Sequence, residues 1–174
     1  MKKLNIREMV IFAFLGALMF VSKQLLEFLP NIHMLGMFTM LYTIVYRRKA
    51  LIPIYIFVLL EGVLAGFAMW WIPYLYIWTV LWAVTMLLPK NMPVKIATPV
   101  YMGVCALHGL CYGTLYAPFQ ALWMGFNLKS TIAWIVAGLP WDCVHALGNL
   151  VMGSMIYPLS IVLRRLEKIG YEKA

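Results

Sequence analysis

The sequence predicts an all-α integral membrane protein with six transmembrane helices and both termini in the cytoplasm. Three observations carry this expectation. Hydrophobic residues make up 64% of the chain and charged residues only 11%, against roughly 25% charged in an average soluble domain. The apolar residues fall in long runs. The clusters Lys2/Lys3/Arg7, Arg47/Arg48/Lys49, Lys90/Lys95 and Arg164/Arg165/Lys168/Lys173 hold 12 of the 14 Lys and Arg. Basic residues in short loops stay on the cytoplasmic side during insertion. The connections between these clusters carry only Lys23 and Lys129, so the chain alternates between a basic inner side and a nearly uncharged outer side. The net charge of +8 then reflects sidedness and attraction to anionic lipid, and calls for no nucleic-acid partner.

The first segment covers residues 6–22, and Lys23 and Glu27 mark its outer end. No small-residue cleavage site follows it, so it reads as a retained helix and not a signal peptide. Pro30 interrupts the chain before the second segment, 32–46. The third, 50–67, tolerates Pro53 in its first turn. Trp70, Trp71 and Pro73 form an uncharged outer turn before the fourth segment, 74–88, which Pro89 closes. The fifth, 99–117, starts at Pro99. A long outer connection from Pro118 to Leu139 follows, apolar enough to be partly helical and to sit in the membrane interface. The sixth, 140–164, starts at Pro140, a favourable first-turn residue. The whole chain, 1–174, forms one membrane domain. It shows no internal repeat, linker or low-complexity stretch.

The second and fourth segments are short. Fifteen residues rise about 22 Å, against a hydrocarbon core of about 30 Å. Either they tilt little and thin the bilayer, or their outer ends stop early and leave a cavity roofed by the Leu25–His33 and Pro118–Leu139 connections. Irregular backbone at that depth is tolerated when buried in protein or lining a wet cavity. A ligand pocket opening outward is the expectation.

The polar residues inside the apolar segments are the candidate site. Glu61 sits near the middle of the third segment, either as a protonated acid bonded to a neighbouring helix or as a ligand contact. Asp142, His145 and Asn149 share one face of the sixth segment at spacings of three and four. Asp142 also suits the first turn after Pro140 on helix-dipole grounds alone. His145 and Asn149 could equally be interhelical hydrogen bonds, and His108 on the fifth segment could be a satisfied structural histidine. Trp78 and Trp82, one turn apart on the fourth segment, lie deeper than the outer belt of Trp70, Trp71, Tyr74, Tyr76, Trp123, Trp134 and Trp141 and are pocket candidates. Ala13, Gly16 and Ala17 give the first helix a small-residue face that lets another helix come close.

Other chemistries lack their motifs. There is no phosphate-binding GxxxxGK[ST] loop and no HExxH. Gly153-Ser154 does not form the serine pattern of an intramembrane protease. Cys105, Cys111 and Cys143 make no CxxC pair, which points to packing residues and not to a disulfide frame or a metal site. No cofactor is implied.

The layout resembles the substrate-binding S components of energy-coupling factor transporters. The resemblance rests on six helices with both ends inside, the Ala13-x-x-x-Ala17 spacing, and the segment Gly138-Leu139-Pro140-Trp141-Asp142-Cys143-Val144-His145-Ala146-Leu147-Gly148-Asn149. It implies a plasma-membrane uptake subunit, not an enzyme. Such a subunit binds a vitamin or related micronutrient from outside, between the outer halves of the last three helices. It then docks on a membrane coupling subunit through Ala13, Gly16 and Ala17, and two ATPase subunits supply the energy. Thiamine-binding members use acidic, histidine, asparagine and aromatic contacts. Here the acids stand elsewhere, at Glu61 and Asp142, so thiamine does not carry over. Members that take up nickel or cobalt have a histidine directly after the initiator methionine, where this chain has Lys2. Aromatic walls with one or two acids suit a small neutral or cationic ring compound. The substrate-binding residues expected are His145, Asn149, Asp142, Glu61, His108, Trp78 and Trp82. The alternatives are a membrane-embedded enzyme using Asp142 and His145 as acid and base, or a structural subunit with no ligand.

Overall fold

The computed structural model describes residues 4–172, which leaves Lys2, Lys3 and Lys173 of the basic clusters outside the described residues. The described residues form eight α-helices and no strand: α1 Ile6–Leu25, α2 Leu35–Tyr46, α3 Leu51–Ala65, α4 Tyr74–Leu87, α5 Val94–Leu110, α6 Tyr112–Met124, α7 Leu128–Gly153 and α8 Ile156–Glu172. Four stretches are long and apolar enough to cross a membrane: Ile6–Leu25, Met69–Leu87, Val94–Met124 and Leu128–Gly153.

The short second segment is the hub. All ten residues from Leu35 to Ile44 are buried, as expected of a helix that is apolar on every side. It packs against α4, α8, α5, α7 and α1. Its 12 residues rise only about 18 Å. The Leu26–Met34 connection therefore sits over its N-terminal end, the roof expected from the sequence.

The Pro118–Leu139 connection is corrected. It is almost entirely helical, comprising the second half of α6 and the first half of α7. The break comes instead at 125–127. Gly125 ends α6 in the left-handed region (φ 66°), where glycine carries no Cβ penalty. The Asn127 side chain then caps α7 by accepting the Ser130 N–H at 2.9 Å. Gly125 and Asn127 were the proper stop and start signals, and the prolines were misleading. Pro118 and Pro140 both lie inside helices. Likewise α5 begins at Val94, with Pro99 inside it. The sixth segment divides at Ser154–Met155 into α7 and α8, with Pro158 in the first turn of α8. Membrane-type bundles tolerate interior proline because neighbouring groups satisfy the freed backbone.

Two close seams hold the bundle. Between α5 and α7, a Cβ on Gly109 would stand 2.9 Å from the His145 carbonyl, so the two backbones touch there. Asn149 crosses the same seam and donates to the Cys105 carbonyl at 3.1 Å. Between α1 and α3, a Cβ on Gly16 would lie 2.5 Å from Ile56 Cγ2 and 2.9 Å from the Pro53 carbonyl oxygen. Gly16 therefore belongs to an internal seam and not to an open docking face. Of the small residues on that helix, Ala13 is exposed and Ala17 half-buried.

The basic clusters meet at one end. Arg47 donates to the Met86 carbonyl at the end of α4 (2.7 Å), and Arg164 to the Ile44 carbonyl near the end of α2 (3.4 Å). Arg7 donates to the Glu167 carbonyl (3.3 Å), and Lys49 pairs with Glu8. Arg47 and Arg164 thereby close helix C-termini, where a cation favours the dipole as well as the orphan carbonyls.

The α1–α3 seam yields a stability prediction. Gly16→Leu has no room and should lower unfolding stability in detergent by about 1–3 kcal/mol. Ala13→Leu, on the open face, should leave it near wild type. Thermal unfolding of the two purified variants makes the comparison.

Candidate functional site

Two adjoining cavities lie at the end opposite the basic clusters, on either side of the Leu26–Met34 connection. The larger, about 460 Å³, is lined by Asn31, Tyr112, Tyr116, Trp134, Asp142 and His145 among others. The smaller, about 260 Å³, is lined by Lys23, Glu27, His33, Tyr74, Tyr112 and His145 among others. Pro30, Asn31, Tyr112 and His145 face both. The connection turns at Asn31, which holds φ 61°, a region that asparagine enters more readily than most residues.

Beneath the connection lies a continuous set of rings. His145 stacks on Tyr112 with centroids 4.7 Å apart and approaches His33 at 5.1 Å. Trp78 lies 6.0 Å from His33, 5.8 Å from His108 and 6.3 Å from Tyr112. Tyr74 packs edge-on against Trp78 at 5.7 Å. At the outer margin Tyr116 stacks on Trp134.

The polar atoms of this set stand out. Five buried side-chain atoms among the described residues have no hydrogen-bond partner, and three of them are His33 Nδ1, His145 Nδ1 and Trp78 Nε1. The others are Thr39 Oγ1 and Glu61 Oε1. Buried polar atoms are nearly always paired, and each unpaired one costs about 1–3 kcal/mol. Three of them sit on neighbouring rings from three separate elements, the Leu26–Met34 connection, α4 and α7. Burial and the neighbouring His145 hold the His33 imidazole well below its ordinary pKa. The ring is thus neutral at neutral pH, and its Nδ1 can donate or accept according to tautomer.

Asp142 is placed differently from its sequence expectation. Pro140 does not start α7, so Asp142 is not in a first turn. Its two carboxylate oxygens instead accept the Gly113 N–H at 3.0 and 3.1 Å. That amide is in the first turn of α6, so the carboxylate caps a neighbouring helix at its positive end. Gly113 is required there, since a Cβ would stand 2.6 Å from Asp142 Oδ2.

Of the seven substrate-binding candidates, His145 and Asp142 line the larger cavity, whereas Trp78 lines neither cavity and packs behind His33 and Tyr112. His108 backs Trp78, with its Nε2 3.2 Å from the Ile77 carbonyl oxygen. Asn149 is bound into the α5–α7 seam. Glu61 is fully buried and paired with Lys23 at 2.6 Å, and only the lysine reaches the smaller cavity. Trp82 belongs to the basic end, where it donates to the Arg47 carbonyl at 3.1 Å.

The residues missed from sequence are His33, Tyr74, Tyr112, Tyr116, Asn31 and Lys23. Part of the signal was present. Tyr112 and Tyr116 follow His108 at intervals of four, which places them along one helical face. His33 offered none, because a loop residue has no periodicity.

Among the described residues no group of three or more His, Cys, Asp and Glu could hold a metal ion. No family model matches this chain, and no curated protein or solved structure does.

The unpaired atoms generate a contrast in stability. His33→Phe removes a buried nitrogen that has no partner and should leave thermal stability in detergent unchanged or raised. His108→Phe removes the contact to Ile77 and should cost about 0.5–1.5 kcal/mol. Parallel unfolding curves of the two variants check the order.

Proposed function

We propose that this chain is the substrate-specificity subunit of an energy-coupling factor type transporter, taking a small micronutrient from outside the cell. The observation that carries the reading is that His33, His145 and Trp78, on adjoining rings, each bury a nitrogen with no partner, and that His33 and His145 line cavities under a connecting loop. A ligand there would complete bonds that the protein leaves open. The aromatic surroundings suit a flat ring. Trp78 Nε1 can only donate, so the ring must carry an acceptor. Asp142, already held by Gly113, offers a favourable field for a partly positive edge.

In this reading the chain lies in the plasma membrane with the basic end in the cytoplasm. Both termini are then inside and the cavities open outward. Four long stretches cross the bilayer, α2 and α3 bring the spans to six, and α8 extends the last of them toward the basic end. Docking to a coupling subunit would use Ala13 on α1, with the exposed neighbours Val10 and Phe14. Two ATPase subunits would drive release. Binding is favoured over catalysis because Asp142 is engaged with the Gly113 amide, and no hydrogen bond joins it to His145 among the described residues. An acid–base pair would need both groups turned toward one reacting atom.

Mass spectrometry of small molecules released from the purified, undialysed protein should detect a ring compound. His145→Ala and His33→Ala should each weaken its binding by about 5- to 150-fold, the equivalent of one lost buried contact. Recovery of no ligand, together with unchanged behaviour of both variants in transport assays, would refute the reading.

Sidedness has its own test. Single cysteines in a background lacking the three native ones should react from outside intact cells near Lys129 and resist near Arg48. Labelling at Arg48 would reverse the orientation.

A further inference from the structure

The basic end holds a third cavity, far from the ring cluster. It is about 180 Å³ and lies between the α4–α5 connection, α5 and α8. Its polar lining is Lys90, Asn91, Tyr101, Tyr157, Ser160 and Arg164. Two cations face it and no carboxylate does. Other cations of this end are already engaged, Arg47 with the Met86 carbonyl and Lys49 with Glu8. Arg164 spends one nitrogen on the Ile44 carbonyl, and a guanidinium has further donors in the same plane. Among the described residues the Lys90 ammonium forms no ion pair or side-chain hydrogen bond. The Ser160 hydroxyl donates to the Tyr157 carbonyl at 2.7 Å, which leaves its oxygen lone pairs and not its proton toward the cavity. Recognition of an anion therefore falls to Lys90, Arg164, the amide of Asn91 and the tyrosine hydroxyls.

The rim of this cavity is apolar and exposed. Ile161 lines it and is 38% exposed. The helix ends that flank the Lys90–Met92 part of its lining are open too: Leu87 at the end of α4 is 85% exposed, and Val94 at the start of α5 is 50% exposed. A polar basic recess bordered by open apolar helix ends matches an amphiphile whose charged head enters the protein and whose tails stay in the bilayer. A soluble anion would use the recess and gain nothing from the rim.

We propose that this recess binds the phosphate of an anionic phospholipid headgroup, with the acyl chains running along the exposed residues of α4, α5 and α8. The lipid would tie the α4–α5 connection to α8. Basic pockets between membrane helices are suited to such headgroups, and a bidentate guanidinium–phosphate contact adds orientation as well as charge. This site is independent of the micronutrient reading and stands whether or not that reading holds.

The test uses the purified full chain in neutral detergent. Phosphatidylglycerol or phosphatidylcholine is titrated in, and bound lipid is counted by native mass spectrometry. Wild type should hold a phosphatidylglycerol about thirtyfold more tightly than phosphatidylcholine, from two near-surface cations. Lys90→Gln should reduce that preference about fivefold. Lys129→Gln, on the same chain but at the far end, should leave it unchanged. Millimolar inorganic phosphate should not displace the lipid. Arg164→Gln serves as a second variant, read only if its unfolding matches wild type. Equal binding of the two lipids, or a Lys90→Gln protein that keeps the full preference, would overturn the proposal. So would complete displacement by inorganic phosphate, which would identify a soluble anion as the ligand.

Discussion

Apolar surroundings leave a backbone polar group no water to turn to, so any helix that ends or bends inside them must be closed by protein. That constraint organises this structure. Arg164 closes α2 and Arg47 closes α4. Asp142 closes the start of α6. Trp71 donates to the Val58 carbonyl of α3, and Tyr42 to the Leu15 carbonyl of α1. Most polar side chains that looked like candidate contacts are occupied in this way, including Asn149 and His108. Their presence in apolar helices follows from the backbone and needs no ligand.

Against that background the exceptions acquire meaning. Trp78, His33 and His145 are as enclosed as the closing residues, yet they carry nitrogens with no partner. In a fold that closes its helix ends so consistently, three neighbouring unpaired atoms stand out, and they are what supports the proposed binding role. The short α2 is what makes the gap: a helix of full span would fill the volume now covered by the Leu26–Met34 connection. Hub, roof and cavity are thus one feature, set by the length of a single helix.

The two ends of the bundle differ in chemistry as well as charge. At the basic end cations are bound to carbonyls, and the remaining recess keeps Lys90 and Arg164 on its lining. At the opposite end neutral rings dominate, and the ion pair Lys23–Glu61, whose carboxylate is fully buried, fastens α1 to α3. Such a pair contributes little net stability, although breaking it would strand a buried charge. It fixes where the end of α1 stands relative to the cavity wall, because Lys23 is part of that wall.

Composition and charge order by themselves determined the class of protein, the helical content and the segregation of basic residues to one end, because burial in lipid and the chemistry of insertion act on any apolar run with flanking charges. The roof over the second segment was also legible, since helix length is a sum over residues. What only the tertiary structure decided was where helices stop and which polar groups are spent. Pro99, Pro118 and Pro140 read as boundaries, yet all three lie inside helices. Gly125 and Asn127, less conspicuous, carry the true break. Asp142 and Asn149 share a helical face with His145, but only contacts from α5 and α6 separate the bound groups from the unpaired one. His33 joins the site across more than a hundred residues of sequence from His145, and no local pattern can encode a neighbour that the chain reaches only by folding.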